Sequence, residues 1–140
     1  MVITGRITNG TKPVKGASVF VYHTDAEGYY ADHRFDNGDE ARLHGAMRTD
    51  AKGRYEYRTI RPRSYAGTKF PAHVHYVIHA DGYQDVFTEF NFEDDPSVTA
   101  TVREFNMAHH RGIISVTKDD KGVWHGVFDV ALTASEVPKL

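Results

Sequence analysis

The feature that most restricts the fold of this chain is a succession of short segments in which apolar and polar residues alternate, separated by turn residues. Alternation with a period of two is typical of strands, because successive side chains of an extended chain point to opposite faces. Such segments recur from end to end: VITGRIT, ASVFVYH, GAMRT, RYEYRTI, VFTEFNF, TATVREFNM, IISVTK and VWHGVFDVAL. Turn pairs such as Asn9-Gly10 and Asp81-Gly82 tolerate the positive φ angles that tight turns need. The pattern predicts an all-β fold, an antiparallel β-sandwich or barrel, with helical turns at most in DPSVTA and DNGDEARLHG.

Length and composition point to one compact domain. The chain has 140 residues, 40% of them hydrophobic, and it contains no internal repeat or low-complexity tract. We therefore predict a single domain over residues 1–140. No apolar run approaches the ~20 residues of a membrane-spanning helix, and the opening MVITGRITNG lacks the basic and apolar regions of a signal peptide. The sequence thus predicts a cytoplasmic protein.

Charge and cysteine content exclude several classes of function. The 17 basic and 19 acidic residues nearly balance, so no strong field favours nucleic acid or an anionic membrane as a partner. Cysteine is absent, which excludes disulfides, thiolate metal sites and cysteine nucleophiles. Any metal must therefore be held by nitrogen and oxygen atoms.

Three histidines alternate along one otherwise apolar segment, KFPAHVHYVIHADG. On an extended strand one face carries His73, His75, Val77 and His79, and the other carries Val74, Tyr76 and Ile78. Side chains two residues apart are about 6 to 7 Å apart along a strand, so neighbouring imidazoles could converge on one ion. A half-exposed strand with polar residues toward water would show the same pattern. His79 stands beyond Val77, where an outer-sphere or surface role is expected rather than ligation.

Two tyrosines end turn-rich segments in which packing does not explain a phenol. Tyr30 closes HTDAEGYY, and Tyr65 closes TIRPRSY. In such loops a phenol is as readily exposed as buried. Phenolate is a hard anionic donor that suits a ferric ion better than zinc or copper(I), whereas imidazole serves many transition metals. Two phenolates with two imidazoles would give Fe(III) a charge-compensated site.

Four blocks of the sequence resemble the intradiol ring-cleavage dioxygenases, which include the catechol 1,2- and protocatechuate 3,4-dioxygenases. The blocks are GRITNGTKPVKGASVFVYHTDAEGYY, RTDAKGRYEYRTIRPRSY, PAHVHYVIHADGY and DKGVWHGVFDVAL, and together they span nearly the whole chain. The resemblance implies a β-sandwich with a non-haem Fe(III). It also implies O2-dependent cleavage of a catechol-type ring between its two hydroxyl-bearing carbons, giving a muconate-type dicarboxylic acid.

The resemblance also implies roles for particular residues. By it, the iron ligands are Tyr30, Tyr65, His73 and His75. A tyrosine released from the metal, Tyr65 by preference over Tyr30, would accept the substrate's proton. Tyr29, adjacent to Tyr30, is the alternative ligand if the alignment is shifted by one residue.

Two positions depart from the family's pattern. Phe70 stands three residues before the first ligand histidine, where most members carry an arginine, and Glu89 stands fourteen residues after the second, where most carry a glutamine. Loss of the arginine removes a charge-assisted partner for the substrate ring. Three explanations stay open: a substrate with a complementary group such as an amino substituent, a basic residue from elsewhere, or weakened or lost oxygenase activity. The basic residues near in sequence are Arg48, Arg61, Arg63 and Lys69.

A non-catalytic binding module is the main alternative function. The opening GRITNGTKPVKGASVFV would equally suit a transthyretin-like or carboxypeptidase-regulatory-like β-sandwich. Such a module has no need of two tyrosines and two histidines at these positions. A metalloprotein with other chemistry, or zinc held by the histidines, is a third alternative. Because the chain is short for the dioxygenase family, its active site is expected to be open or completed by another subunit of a homo-oligomer.

Other histidines carry weaker expectations. His23 follows a strand and either lines the same cavity or simply ends the strand. His109 and His110 are expected to form a polar turn.

Overall fold

Two β-sheets lie face to face, with a short helix beside them in the described residues. The computed structural model describes residues 1–31 and 41–136. The elements are β1 (Val2–Asn9), β2 (Lys12–Pro13), β3 (Ser18–His23), β4 (Leu43–Arg48), β5 (Arg54–Arg58), β6 (His73–His79), β7 (Val86–Phe92), α1 (Ala100–Ala108), β8 (Gly112–Ile114), β9 (Thr117–Lys118), β10 (Trp124–Val127) and β11 (Val130–Ala131).

The first sheet is organised around β1, and the second around β6. β1 pairs antiparallel with β5 and β2 and parallel with β10 and β11, while β9 pairs with β10. The second sheet has the order β4-β3-β6-β7-β8 and is antiparallel except for the β7–β8 pair. The predicted β-sandwich is confirmed. The parallel pairs were not foreseen, because alternation reveals the faces of a strand but not the direction of its neighbour.

The core lies between the two sheets and is filled by the inward faces of their strands. Ile3 and Ile7 of β1 and Val74 and Ile78 of β6 have no exposed surface. Burial of side chains of this size removes apolar surface from water and is the main force that holds the sheets together. Because side chains alternate along β6, its histidines lie on the opposite, outer face of the second sheet.

Helix α1 corrects one prediction. TATVREFNM was expected to form a strand, but Ala100–Ala108 are helical. Thr99 caps the helix, since its side chain accepts a hydrogen bond from the Val102 N–H at 3.4 Å. Val102, Phe105 and Asn106 have helical spacing, but Asn106 is the buried one and is polar. The sequence therefore lacks the apolar 3.6-residue period that would have identified a helix.

The two expected helical turns have different outcomes. DPSVTA forms a turn and α1 begins only at its last residue. The first half of DNGDEARLHG, residues 36–40, lies outside the described residues, and its last three residues belong to strand β4 instead of a helical turn. No helix within residues 1–31 and 41–136 has the length and apolar character needed to cross a membrane.

Candidate metal centre

The imidazole of His75 is held between side chains of the two neighbouring strands. Tyr22 of β3 stands opposite His75 and stacks on it, with ring centroids 4.5 Å apart. Glu89 of β7 stands opposite His75 on the other side. The strand register therefore orients this imidazole.

The two tyrosines are carried by loops that are fastened to each other. Tyr30 lies between β3 and β4, and Tyr65 lies between β5 and β6. The Ala66 N–H donates to the Gly28 carbonyl at 3.3 Å. Gly28 has a φ of 90°, and a Cβ there would lie 2.1 Å from the Ser64 carbonyl oxygen. Glycine is thus required for the approach that brings the two phenols together.

Asp25 stabilises the turn that leads to Tyr30. Its Oδ1 accepts hydrogen bonds from the backbone N–H groups of Glu27 and Tyr29, both at 3.0 Å, and its Oδ2 is 2.6 Å from Arg42 Nη2. Burial opposes ionisation of this carboxyl, but these hydrogen bonds and the Arg42 charge outweigh it and lower the pKa of Asp25. The turn is therefore built around a carboxylate.

Two phenol oxygens and two imidazole nitrogens form a closed ring, called here the donor ring. Tyr30 Oη lies 2.8 Å from Tyr65 Oη and 2.8 Å from His75 Nε2. His73 Nε2 lies 2.9 Å from His75 Nε2 and 3.1 Å from Tyr65 Oη. The structure thus brings together all four residues singled out in the sequence, and the phenol in the ring belongs to Tyr30 rather than Tyr29.

The hydrogen-bond partner of each Nδ1 atom determines which nitrogen of that imidazole carries the proton. His73 Nδ1 lies 2.8 Å from the Pro71 carbonyl oxygen, and His75 Nδ1 lies 3.2 Å from Glu89 Oε2. Because both partners are acceptors, we assign the proton of each imidazole to Nδ1, which directs the Nε2 lone pairs into the ring. The two Nε2 atoms then face each other at 2.9 Å without a proton between them. A cation at the ring's centre would relieve that repulsion.

The spacing of the donor ring also fits a transition-metal ion. Metal–imidazole bonds are about 2.0–2.1 Å long, so two such bonds at a right angle place their donor atoms ~2.9 Å apart. The neighbouring distances of 2.8–3.1 Å match that value. Both the spacing of the four donor atoms and their chemistry therefore fit a transition-metal ion.

Burial favours the neutral forms of three donor-ring residues, Tyr30, Tyr65 and His73. Burial, and for Tyr30 the hydrogen bond with Tyr65, raises the pKa of both phenols. Burial, together with the nearby His75, lowers the pKa of His73 and so keeps this imidazole in its neutral, ligating form. Tyr30 is only 4% exposed, whereas Tyr65 is half-buried.

Glu89 supports the donor ring from outside. It is 8% exposed, and it offers a carboxylate oxygen within 4.8 Å of ligand atoms of His73 and His75. Its Oε2, however, faces the Nδ1 of His75, which points away from the ring, and its Oε1 accepts a hydrogen bond from Arg111 Nη1 at 2.8 Å. Burial disfavours the Glu89 carboxylate, but the His75 hydrogen bond and the Arg111 charge help to lower the pKa of Glu89 below its usual value.

The basic residue beside Glu89 was missed in the sequence. None of the four candidates near in sequence pairs with Glu89; Arg111 does, because β8 runs parallel to β7 and brings it there. No spacing between Arg111 and the histidine block signals this. The candidates instead have other surroundings: Arg48 donates to the Gly16 carbonyl, Arg61 pairs with Asp94, Arg63 is exposed, and Lys69 lines the cavity described next.

A cavity of about 650 Å³ adjoins the donor ring. Phe70, Glu89, Phe105 and Arg111 are among its lining residues. Phe70 is 51% exposed and stacks on Tyr65, with ring centroids 5.3 Å apart. A second cavity of similar volume lies at β1 and β5, away from this site. None of the four donor residues lines the first cavity, but Phe70, which stacks on Tyr65, and Glu89, which contacts His75, both do. The first cavity therefore lies beside the donor ring.

The four other histidines singled out in the sequence have structural surroundings. His23 ends β3 and is buried, with Nδ1 at 2.7 Å from the Thr24 carbonyl and Nε2 at 2.9 Å from Thr59 Oγ1. His79 lies at the surface against Asp85, as expected. His109 caps the C-terminus of α1 and His110 follows in a turn with a φ of 54°, which confirms the polar turn.

Comparison with known proteins agrees with this geometry. A family model described as Dioxygenase matches residues 1–132. The catechol 1,2-dioxygenase 1 of Acinetobacter lwoffii is 32% identical over 142 residues, which cover 87% of this chain and 44% of that protein. The protocatechuate 3,4-dioxygenase beta chain of Burkholderia cepacia is 34% identical over 108 residues, which cover 69% of this chain and 46% of that protein.

A solved structure shows the same similarity in three dimensions. The catechol 1,2-dioxygenase of Pseudomonas arvilla C-1 matches with a TM-score of 0.76 and 27% identity, over 99% of this chain and 53% of that chain. The chain thus spans about half the length of these relatives. With a family model that matches all but its last eight residues, the chain belongs to the intradiol dioxygenase family.

Proposed function

We propose that this protein is a non-haem Fe(III)-dependent intradiol dioxygenase that acts on a catechol-type substrate. The reaction breaks the bond between the two hydroxyl-bearing ring carbons, and both atoms of O2 enter a muconate-type dicarboxylic acid. One observation carries the proposal: two phenol oxygens and two imidazole lone pairs converge at 2.8–3.1 Å. Such a donor set suits a hard ferric ion.

Tyr30, Tyr65, His73 and His75 would hold the iron. When bound, Fe(III) supplies a Lewis acid that holds the catechol through both of its oxygens and makes the ring reactive toward O2. The protein contributes the fixed donors and their outer hydrogen bonds, which orient both imidazoles before substrate arrives.

Tyr65 is the better candidate for proton transfer. It is half-buried, it belongs to a loop whose residues 67–70 are exposed, and its ring borders the cavity through Phe70. Tyr30 is buried, and the loop that carries it is pinned by Asp25 and Gly28. As a phenolate, Tyr65 would be basic enough to take a proton from a catechol hydroxyl, because tyrosine has an ordinary pKa of about 10 and burial raises the pKa of Tyr65 above that value.

The adjoining cavity suits an aromatic ring. Phe70 and Phe105 provide flat apolar surface, and Lys69, Glu89 and Arg111 provide charged groups. A binding module without a metal would gain nothing from two imidazole lone pairs that face each other. The single domain over residues 1–140, the cytoplasmic location, the homo-oligomer and the absence of nucleic-acid and membrane partners stay predictions from the sequence.

The test is the visible absorption spectrum and iron content of the purified protein. We expect one iron per chain and a broad tyrosinate-to-Fe(III) charge-transfer band that shifts when catechol is added without oxygen. Oxygen uptake with catechol, protocatechuate and hydroxyquinol then defines the substrate. Isotopically labelled O2 should appear in both new carboxyl groups of the product.

Resorcinol is the matched control substrate, because its hydroxyls are not on adjacent carbons. It should neither shift the band nor support oxygen uptake. A protein that stays colourless after reconstitution with iron, or a product cleaved outside the two hydroxyl-bearing carbons, would overturn the proposal.

A further inference from the structure

A charged pair connects helix α1 and the turn after it to the donor ring. The Glu89 carboxylate uses both oxygens: Oε2 lies 3.2 Å from His75 Nδ1, and Oε1 lies 2.8 Å from Arg111 Nη1. Neither oxygen is directed at the ring's centre. Glu89 and Arg111 therefore form a relay that ends at the outer nitrogen of His75.

Arg111 is itself held in place. Its backbone N–H donates to the Asn106 carbonyl at 2.8 Å, and its guanidinium lies 4.9 Å from the centre of the Phe105 ring. Only 32% of its side chain is exposed. Because Asn106 and Phe105 belong to α1, the position of the guanidinium follows that of the helix.

A second, uncharged connection runs from the same helix toward His73. Asn106 Nδ2 donates to Asn91 Oδ1 at 2.8 Å, and Asn91 Nδ2 donates to the Ala72 carbonyl at 3.0 Å. Ala72 immediately precedes His73, and Asn91 pairs with His73 in the β6–β7 register. The helix is thus fixed to the sheet beside both histidines of the donor ring.

We propose that Glu89 and Arg111 are positioning residues of the metal centre: Arg111 fixes the Glu89 carboxylate, and Glu89 fixes His75 with Nε2 directed into the ring. The inference rests on the proposed function, since it concerns the same site. Both residues are needed because a buried carboxylate that loses one partner keeps its desolvation cost and is free to turn. Neither residue touches the reacting atoms in this scheme.

The competing role for Glu89 is direct ligation. Two histidines and a carboxylate form a known facial set for non-haem Fe(II), and these three side chains do cluster. The geometry argues against it, because Glu89 meets His75 at Nδ1 while both phenols meet the histidines at Nε2. To bind the same metal ion, the Glu89 carboxylate would have to lie on the Nε2 side of the two histidines.

The experiment compares iron affinity, measured by chelator competition, and the visible band in wild type, Glu89→Leu, Glu89→Gln and Arg111→Met. Loss of an outer hydrogen-bond partner typically lowers metal affinity ~10- to 100-fold. We expect a loss of that size in Glu89→Leu, with the tyrosinate band retained. Glu89→Gln keeps an oxygen acceptor for His75 and should recover most of the affinity. Arg111→Met should lower it less than Glu89→Leu does.

The double variant tests whether Arg111 acts through Glu89. Arg111→Met should lower iron affinity in the wild-type background and have no further effect in the Glu89→Leu background. Additive losses would overturn the relay. Abolished iron binding in both Glu89→Leu and Glu89→Gln would overturn it in favour of direct ligation, and unchanged affinity in Glu89→Leu would overturn it outright.

A nearby pair supplies the matched control. Glu93, one residue past β7, pairs with Arg103 of α1 at 2.8 and 2.9 Å on the surface. Glu93→Leu and Arg103→Met should leave iron affinity unchanged. The two proposals fail separately: a colourless wild type defeats the proposed function, whereas a coloured wild type with an unaffected Glu89→Leu defeats only the positioning role.

Discussion

The phenol oxygens of Tyr30 and Tyr65 lie 2.8 Å apart, although Tyr30 belongs to the β3–β4 connection and Tyr65 to the β5–β6 connection. Two phenolates at that distance repel each other unless a cation lies between them. As neutral phenols they form a hydrogen bond and keep the same positions. The protein therefore holds the tyrosines in a metal-binding arrangement before any metal is bound, and the packing of the two loops against each other fixes that arrangement.

That packing predicts a strong effect of Gly28→Ala. The new Cβ would lie 2.1 Å from the Ser64 carbonyl oxygen, and the φ of 90° is strained for alanine. We expect the free energy of unfolding, measured by urea denaturation, to fall by at least ~3 kcal/mol. Iron affinity should fall as well, because the loops must separate. Gly10→Ala is the control: its φ is also positive, at 58°, but its Cβ would meet nothing within 4 Å, so ~1 kcal/mol is expected. Equal losses in the two variants would contradict the steric argument.

Tyrosine-to-phenylalanine substitutions separate the roles of neighbouring phenols. Tyr65→Phe keeps the stack on Phe70 but removes the donor and the base, so we expect turnover to fall at least ~100-fold with the fold retained. Tyr30→Phe should weaken iron binding and change the charge-transfer band. Tyr29→Phe serves as the control, and its spectrum should match wild type. A Tyr29→Phe protein that loses its color while Tyr30→Phe keeps it would reverse the assignment.

Alternation along β6 was enough to place the histidines on one face, since a strand's period of two leaves no other arrangement. The convergence of Tyr30 and Tyr65 on them was not derivable from spacing, because loop conformation depends on contacts such as Gly28 against Ser64. The family resemblance supplied it instead. Sequence similarity thus provided what local pattern could not.

Arg111 and helix α1 are features of the site that the sequence did not reveal. The helix has a buried asparagine where an apolar stripe is usual, so its period is hidden, and its segment was taken for a strand. Arg111 reaches Glu89 only because β8 pairs in parallel with β7 after that helix. Contacts that depend on a crossover connection leave no local signal in the sequence.

Asp25 predicts a pH dependence of stability. Its lowered pKa means that the unfolded chain binds this proton more readily, so its contribution is present above the unfolded pKa of about 3.9 and is lost as pH falls through the lower folded value. The difference in unfolding free energy between metal-free wild type and Asp25→Asn should be largest above pH ~5 and shrink in acid. Asp120→Asn, in an exposed turn, is the control. A difference that grows as pH falls would contradict the assignment.

The last prediction concerns Asn106, which connects helix α1 to the second sheet. Its side chain is 3% exposed and donates to both Asn91 Oδ1 and the Gly112 carbonyl, at 2.8 and 3.2 Å. Asn106→Ala leaves these buried acceptors without their donor, so we expect the free energy of unfolding in urea to fall by ~1–3 kcal/mol. Glu104→Ala, on the exposed side of the same helix, should change it by less than ~0.5 kcal/mol. Because Asn91 also holds the carbonyl next to His73, Asn106→Ala should weaken iron binding more than Glu104→Ala does. Equal iron affinity in the two variants would show that the helix contributes stability alone.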